Sequence, residues 1–311
     1  MSGYLPVAAP VCTPLVNAVG PGCRNDPLDV ALIQDLLQRS RAVETNLEWT
    51  GDAGSALFEA IGRFQMRITP TVCPDRIVQA SGPIIWTLAS LADSCPISPL
   101  RRQGSRTEPS KTTLDAGRFV TLYGRHFGSP RPGLKFVVGK MLADSAITDI
   151  RWIAYMLATV RHETQMSYEP VAEIGKGAGY KYGNPDTFTD SAGKSHTNIY
   201  YGRGYVQLTW KDNYAAVGEA IGQGERLAID PELARDPDIA YDVLSYGMRK
   251  GRFTGRKLGS YISGDRCDYY ASRAIVNPKD TKTYQPICQA AAEIEVLARL
   301  ACMGSSACYG S

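Results

Sequence analysis

A pair of glutamates, Glu163 and Glu173, carries the first chemistry that this sequence suggests. Apolar residues recur over 153–160 at the i, i+3, i+4, i+7 spacing of a helix with one buried face, and Glu163 continues that face. Apolar surroundings raise the pKa of a carboxyl group towards the range in which it donates a proton near neutral pH. Pro170 predicts a turn, which leaves Glu173 in a more polar loop. Carboxyl groups in two such environments can divide the roles of general acid and general base.

The stretch 200–222 holds a second set of candidate residues. Glycines on either side of an arginine allow close approach of a backbone to a ligand, and the arginine can fix a loop through several hydrogen bonds. Aromatic faces and neutral polar groups suit sugar rings, although aromatic residues at this density also form cores. The residues alone therefore leave a structural role open here, just as Glu163 and Glu173 could be an ordinary helix end and a solvated loop position. The candidate binding residues are Tyr200, Arg203, Gln207, Asn213 and Tyr214, and Thr209 is a further candidate for the reaction itself.

The elements that must position these residues are predicted to be helices. Segments with helical periodicity occur throughout, whereas sustained strand alternation is absent apart from a short extended stretch at 199–208. In the first hundred residues Asp29 is a candidate cap for the first helix. The predicted helices are 30–39, 55–67, 83–92, 115–124, 135–143, 148–166, 211–221, 237–250 and 287–303.

Length and composition divide the chain into two domains. A chain of 311 residues exceeds what one core usually fills. The segment 96–113 is polar, basic and proline-bearing, which is typical of a linker. We therefore predict a mainly α protein with a three-helix bundle at 1–95, a linker at 96–113 and a larger helical domain at 114–311.

Charge and motif content exclude several function classes. A formal charge of +3 is too small to indicate nucleic-acid binding, and no apolar run is long enough to span a membrane. His162-Glu163 begins a zinc-protease pattern, but Met166 stands where the second histidine is needed. Neither a phosphate-cradling glycine motif nor a serine nucleophile elbow is present. The sequence therefore predicts no metal and no cofactor.

Eight cysteines fall into two groups of four, one in the first hundred residues and one in the last fifty. Even numbers in each group predict disulfides, which imply an oxidising compartment. Cys288 and Cys302 share a predicted helix and lie about 21 Å apart, too far to pair. We predict the bridges Cys302–Cys308 and Cys267–Cys288, with two more among Cys12, Cys23, Cys73 and Cys95. Free buried thiols are the alternative.

The first hundred residues resemble the small peptidoglycan-binding module found at the ends of many wall hydrolases. The resemblance rests on Leu36, on the Arg63-Phe64-Gln65 step, on Asp75, and on Gly82-Pro83 followed by Trp86. It covers about sixty residues, and Ile85 replaces the threonine usually found before the tryptophan. A generic helical bundle that mediates other contacts is the alternative interpretation.

Together, the glutamate and arginine stretches resemble glycoside hydrolase family 19, the chitinase family that also includes many bacterial and phage muramidases. His162-Glu163-Thr164 corresponds to the family's histidine-glutamate-serine/threonine step, 201–214 to its central motif and 230–237 to its next turn. The resemblance spans roughly 115–255 and implies a lysozyme-like helical fold. One departure is that Gln165 and Met166 stand where the family usually carries a glycine pair.

The resemblance implies an inverting mechanism with specific roles. Glu163 is then the general acid and Glu173 the general base, while Thr209 holds the attacking water and Asn213 contacts the sugar. Inverting enzymes keep their two carboxyl groups about 6.5–9.5 Å apart. Glu169 is the alternative base, because one loop insertion would put it in the place of Glu173.

The resulting expectation is a peptidoglycan hydrolase of the muramidase type that binds glycan strands of the bacterial wall. The alternatives are a chitinase and a non-catalytic wall-binding protein. The N-terminus has no basic segment and is interrupted by prolines, which predicts no classical signal peptide. We therefore expect action in the periplasm or outside the cell, after delivery by phage lysis or a specialised secretion system. An injected toxin would also have a cognate immunity protein as its partner.

Overall fold

Helices dominate the structure, a computed structural model that describes residues 15–41, 43, 47, 50–68, 74–80, 84, 85, 87, 88, 111, 114–128, 131–264 and 266–303. The prediction of a mainly α protein is confirmed. Short 3-10 turns connect several of the helices. The helices are α1 Pro27–Ser40, α2 Ser55–Ile68, α3 Ala116–Phe127, α4 Pro132–Ala143, α5 Ile150–Glu163, α6 Lys211–Ala220, α7 Arg226–Ile229, α8 Pro237–Lys250, α9 Tyr269–Ser272 and α10 Tyr284–Met303.

Three antiparallel pairs of short strands lie in the described residues, and a single antiparallel bridge also joins Val19 to Val78. The strand pairs are β1 Val171–Ala172 with β4 Arg203–Gly204, β2 Asp186–Thr189 with β3 Ser195–Asn198, and β5 Ile262–Ser263 with β6 Arg266–Cys267. Only β4 lies in the stretch 199–208 that the sequence predicted to be extended. The hairpin β2–β3 was not predicted, because its threonines and serine carry no alternation of apolar and polar residues.

Helix ends differ from the predicted ends for identifiable reasons. Helix α1 begins three residues early, since Asp26 accepts a hydrogen bond from the N–H of Leu28 and Pro27 occupies the first helical position. Asp29, the predicted cap, instead accepts hydrogen bonds from the N–H groups of Val16 and Asn17. The predicted third helix, 83–92, is described only at 84, 85, 87 and 88, which are helical.

One compact unit consists of 1–109, 113–129 and 296–311. Its core is formed by the apolar faces of α1 and α2, including Ile33, Leu36, Ile61 and Phe64, all fully buried. Gln65 fixes the chain that follows α2, because its amide donates to Asp75 and its carbonyl accepts from the N–H of Arg76. This part of the predicted bundle is a packed helical unit.

The division of the chain differs from the predicted boundary near residue 114. Helix α3 and the end of α10 belong to the first unit, although both follow the predicted linker. Arg118 on α3 explains the grouping, since its guanidinium donates to the carbonyl of Thr50, to Asp52 and to the carbonyl of Leu300. Such a contact over 182 residues leaves no trace in the local sequence pattern.

The second unit consists of 110–112 and 130–295 and contains both candidate glutamates. Helix α5 is buried on all sides from Ile153 to Val160, so the prediction of a single buried face was wrong. A helix surrounded by protein on every side positions its last residue firmly, because no face can move into solvent.

Among the helices that the structure describes, none is both long and apolar enough to cross a lipid bilayer.

The predicted disulfides can be compared with the structure at one pair. Cys267 and Cys288 both lie in the described ranges, and no bridge joins their sulfurs, so this prediction was wrong. Cys267 is held opposite Ile262 in the β5–β6 pair, and its side chain interacts with the hydroxyl of Tyr269. Every other predicted bridge involves Cys12, Cys73, Cys95 or Cys308, which lie outside the described residues.

Two helical glycines in this unit should respond to alanine in opposite directions. A Cβ on Gly247 of α8 would lie 2.0 Å from the ring of Phe253, whereas a Cβ on Gly139 of α4 would meet nothing within 4 Å. We expect Gly247→Ala to lower the free energy of unfolding by roughly 1–3 kcal/mol through overpacking. Gly139→Ala should raise it by about 0.5–1 kcal/mol, because alanine is the better helix former. Urea denaturation of both variants measures the two changes, and equal effects would contradict the close packing at Gly247.

Candidate active site

Glu163 is the last residue of α5, and its carboxylate is held by an arginine from a distant part of the chain. The helix begins at Asp149, which accepts from the N–H of Arg151. At the other end, Oε1 of Glu163 accepts a hydrogen bond of 2.7 Å from Nη1 of Arg273. The side chains of Arg273 and Glu163 are 2% and 14% exposed, so the pair is largely shielded from water. The predicted apolar pocket around Glu163 is therefore wrong, since its closest partner is a guanidinium.

Arg273 is itself fixed from two further directions. It begins the 3-10 turn Arg273–Ile275, and its Nε donates to Oγ1 of Thr283 at 2.9 Å. Its Nη2 lies 3.6 Å from the carboxylate of Asp280. A guanidinium with three such partners presents Nη1 to Glu163 in one orientation. Arg273 thus positions the candidate acid, and no local sequence pattern reveals this contact because 110 residues separate the two.

The turn that follows Glu163 has an unusual backbone. Gln165, Met166 and Tyr168 have φ values of 50°, 66° and 58°, in the left-handed region that favours glycine. Thr164 stabilises the turn, since its hydroxyl donates to the carbonyl of Val160 and accepts from the N–H of Tyr168. Gln165 and Met166 are the positions at which the sequence departs from the glycine pair of the resembling family. The chain therefore keeps the glycine-like backbone there without the glycines.

Glu173 is fixed by hydrogen bonds to both oxygens of its carboxylate. Oε1 accepts from the hydroxyl of Tyr182 at 2.9 Å, and Oε2 accepts from the N–H of Gly202 at 3.0 Å. The N–H of Glu173 donates to the carbonyl of Gly202 at 2.7 Å, directly beyond the β1–β4 pair. Burial and the hydrogen bond to Glu173 raise the pKa of Tyr182 to about 12, so Tyr182 remains a neutral donor. The two candidate glutamates thus occupy different and equally definite environments.

Glu169, the alternative base, is placed differently. Its side chain is exposed, and one carboxylate oxygen lies beside Gly133 at the start of α4, where an added Cβ would come within 2.8 Å. Among the residues that the structure describes, no donor binds its carboxylate. The contrast with Glu173 supports Glu173 as the candidate base.

Arg203 forms several of the hydrogen bonds that fix the loop between β3 and α6. Its Nε donates to Glu232 at 2.9 Å, and its Nη1 donates to the carbonyls of Ile199 and Tyr201 and to the hydroxyl of Tyr214. The guanidinium carbon also lies 3.5 Å from the ring centroid of Tyr201. Burial alone would raise the pKa of Glu232, but hydrogen bonds from Arg203 and other donors lower it. Arg203 therefore organises the loop.

Three of the five predicted binding residues are too deeply buried to contact a polymer. Tyr200, Arg203 and Tyr214 are 1%, 4% and 0% exposed, and the two tyrosine hydroxyls bind the carbonyls of Ala228 and Tyr201. Their prediction as substrate-binding residues was wrong. Aromatic and arginine side chains at this spacing serve the internal packing of the loop instead.

The remaining predicted residues, Gln207, Thr209 and Asn213, do lie together on a pocket. Its volume is about 130 Å³, and Trp210, Phe253 and Val276 complete part of its lining. The amide of Asn213 donates to the carbonyl of Thr209, while that of Gln207 donates to the carbonyls of Val171 and Gly204. Neutral donors and acceptors beside an indole ring suit an N-acetylated sugar.

Both candidate glutamates are tied to the walls of this pocket. Val276, which lines it, follows Arg273 by three residues, and the N–H of Val276 donates to the carbonyl of Arg273. On the other side, Gly202 binds Glu173, and Gln207 binds the carbonyl of Val171 in β1. Residues that line the pocket are thus connected to each candidate glutamate through one or two hydrogen bonds.

A short row of aromatic rings adjoins Glu173 and was not among the predicted binding residues. Tyr180 and Tyr182 stack with ring centroids 5.2 Å apart, and Tyr182 meets Trp210 edge-on at 5.5 Å. Tyr180 and Trp210 are 61% and 46% exposed, which leaves ring faces open to a ligand. Exposed rings of this kind can pack against the apolar faces of sugars. Their sequence signal was the Tyr-Lys-Tyr-Gly step shortly after Glu173.

The left-handed turn after Glu163 leads to a stability prediction. A left-handed backbone costs about 1–2 kcal/mol for a residue with a side chain, and glycine avoids this cost. Met166→Gly should therefore raise the free energy of unfolding by roughly 0.5–1 kcal/mol, after allowance for the flexibility of glycine in the unfolded chain. Met66 in α2 is the matched control, since it is 49% exposed against 55% for Met166 but sits in a right-handed helix. Met66→Gly should lower the same free energy by about 1 kcal/mol. Destabilisation by both changes would contradict the turn geometry.

Comparison with known proteins places this site in a family. Residues 137–249 match the sequence model of glycoside hydrolase family 19, described as chitinase class I. An Arabidopsis thaliana endochitinase is 40% identical over 130 residues, which is 37% of this chain and 42% of that protein. A second Arabidopsis thaliana endochitinase is 41% identical over 93 residues, 29% of each chain. The matches thus span less than half the length of these curated relatives.

A solved structure, chitinase C from Streptomyces griseus, is similar to 62% of this chain and 95% of its own, with 22% identity and a TM-score of 0.43. The family match includes Glu163, Glu173, Thr209 and Asn213, whereas Arg273 lies 24 residues beyond its end. Thr209 and Asn213, which line the pocket, therefore lie inside the matched range, whereas Phe253 and Val276 lie beyond it. Residues 137–249 of this chain are thus similar in sequence to glycoside hydrolase family 19.

Proposed function

We propose that the chain hydrolyses β-1,4 glycosidic bonds of bacterial peptidoglycan, as a hydrolase of the muramidase type. The observation that carries the proposal is the different fixation of two carboxylates, with Arg273 on Glu163 and with Tyr182 and Gly202 on Glu173. General acid and general base catalysis require two such groups held on either side of a bond. Neither role calls for a metal or a cofactor.

Each residue has one part in the proposed inverting reaction. Glu163 protonates the leaving glycosidic oxygen, and Arg273 keeps its carboxyl group in place. Glu173 removes a proton from a water molecule, which attacks the anomeric carbon from the opposite face of the sugar. Thr209 holds that water from the pocket wall, and Asn213 contacts the sugar. In each turnover Glu163 loses one proton and Glu173 gains one, so the net charge of the site is conserved. Proton exchange with solvent then restores the starting forms.

Peptidoglycan is favoured as the substrate by the helical unit at the N-terminus, which resembles a wall-binding module. Chitin is the second candidate, because the similar Arabidopsis proteins are named endochitinases. Both polymers share the β-1,4 linkage and the N-acetyl groups, so the two carboxylates alone serve either. We further propose action in the periplasm or outside the cell, with an immunity protein as partner if the chain is an injected toxin.

Removal of the proposed acid tests the enzymatic function. Glu163→Gln keeps a carbonyl oxygen for Arg273 but cannot donate the proton, so we expect turnover of purified peptidoglycan to fall at least about a hundredfold. Circular dichroism and a thermal melt check that the variant is folded. Residual activity near that of the wild type would remove Glu163 from the mechanism, and sedimentation with sacculi without any cleavage by the wild type would favour a wall-binding protein.

The assignment of the base rests on a matched pair of changes. Glu173→Gln should abolish turnover, because the amide cannot accept the proton of water, whereas Glu169→Gln should leave kcat within about twofold. The reverse result would make Glu169 the base.

The bond and the substrate can be identified from reaction products. Peptidoglycan and chitin oligomers are digested in parallel, and the fragments are reduced with borohydride before mass spectrometry. We expect reduced muramic acid ends from peptidoglycan. Reduced glucosamine ends from peptidoglycan would point to a glucosaminidase, and cleavage of chitin alone would establish the chitinase alternative.

A further inference from the structure

A rigid loop beside the candidate base presents two lysines. We call residues 174–183 the lysine loop; it contains Lys176 and Lys181 and no acidic residue. Lys176 lies three residues after Glu173, and Lys181 directly precedes Tyr182, whose hydroxyl binds Glu173. Both lysines are therefore tied through short stretches of backbone to the carboxylate that activates water.

The loop is held closed by its own backbone. Turn hydrogen bonds join the N–H of Lys176 to the carbonyl of Glu173 and the N–H of Tyr180 to the carbonyl of Gly177. Gly177 and Gly183 approach so closely that a Cβ on Gly183 would lie 1.9 Å from the carbonyl oxygen of Gly177. The loop backbone that carries Lys176 and Lys181 is thus fixed relative to Glu173, which lowers the entropy cost of recognising a substrate group.

The ammonium groups of both lysines are available to a ligand. Both residues are exposed, and among the residues that the structure describes neither ammonium has a hydrogen bond or an ion pair. The nearby Asp186 is already paired with Lys211 at 2.8 Å. Two unpaired cations at the edge of a site attract an anionic group and give nothing to a neutral polymer.

Exposed apolar side chains alternate with these charges. Ile174 is 85% exposed, more than any other large apolar side chain that the structure describes, and Tyr180 is 61% exposed. A bare glycan offers an isolated isoleucine only small apolar groups such as the methyls of its N-acetyl substituents. A short acidic peptide with methyl side chains offers both carboxylates for the lysines and apolar groups for Ile174.

We infer that the lysine loop binds the acidic peptide carried by a peptidoglycan strand and so selects peptide-bearing glycan over glycan without peptides, whose muramic acids keep only their lactyl carboxylates. The inference rests on the proposed function and gives its substrate class at the same site. Lys176 and Lys181 are specificity-determining residues here, because they contact the peptide and not the bond that is cleaved. Chitin, which has no such branch, would bind without their help.

Binding tests the inference without requiring turnover. Calorimetry on the Glu163→Gln protein compares a peptidoglycan tetrasaccharide carrying its peptides with the same tetrasaccharide after removal of the peptides by an amidase. We expect the peptide-bearing form to bind about tenfold more tightly, from two exposed charge pairs. Adding Lys176→Gln and Lys181→Gln should remove this preference while the Kd of the peptide-free form stays unchanged. Raising the salt concentration should reduce the preference, since exposed charges are screened.

The control variant also removes two lysine charges, but at positions outside the lysine loop. Lys250→Gln with Lys257→Gln changes two exposed lysines, one at the end of α8 and one seven residues beyond it, and the preference should remain. If Glu163→Gln fails to fold, KM for the two tetrasaccharides in the wild-type and double-lysine backgrounds gives the same comparison. Equal affinity of the parent protein for both forms, or equal weakening of both by the lysine changes, would overturn the inference. Absence of cleavage by the wild type together with a lysine-dependent preference would instead overturn only the proposed function.

Discussion

The structure of the site depends on the ion pair between Glu163 and Arg273. Two charges this shielded from water gain little net stability, because their desolvation offsets their attraction. Removal of Arg273 would leave the Glu163 carboxylate without its ion-pair partner, at a cost of about 3–5 kcal/mol, whereas Arg273 keeps Asp280 as a partner when Glu163 is replaced. The contribution of the pair is therefore to position rather than to stabilise. It joins the end of α5 to the 3-10 turn at Arg273, so that the candidate acid and the pocket wall at Val276 are held by the same guanidinium.

Glu173 is also positioned by groups from a distant part of the chain, but here they are backbone groups. Glu173 and Gly202 exchange two hydrogen bonds, one between backbones and one from the Gly202 N–H to the carboxylate. The loop that supplies Gly202 is itself fixed by Arg203 through Glu232 and Tyr214. Burial of Arg203 thus has a functional consequence. If its hydrogen bonds were lost, the loop could shift and move the N–H of Gly202, which binds the candidate base Glu173. Residues that never touch a sugar determine where both carboxylates lie.

The sequence predicted those parts of the site that are encoded locally. Helical periodicity located α5 and α8, and the Pro170 turn separated Glu163 from Glu173. What it missed depends on contacts over long distances in the chain, such as Arg273 with Glu163 and Arg118 with Leu300. Burial was also misjudged, since Tyr200 and Tyr214 have the residue type of a sugar platform but point into the loop. Periodicity predicts which residues share one face of an element. Whether that face contacts the protein core, a ligand or solvent depends on the tertiary packing.

The backbone after Glu163 connects these observations. Three residues with side chains adopt left-handed conformations there, a combined cost of about 3–6 kcal/mol that the surrounding fold must offset. Part of the offset is visible in the two hydrogen bonds of the buried Thr164 hydroxyl. A helix that continued past Glu163 would carry the chain away from β1, and Glu173 could not then reach Gly202. The strained turn thus directs the chain from Glu163 back towards β1 and Glu173, and the ion pair to Arg273 fixes the helix end from which it starts.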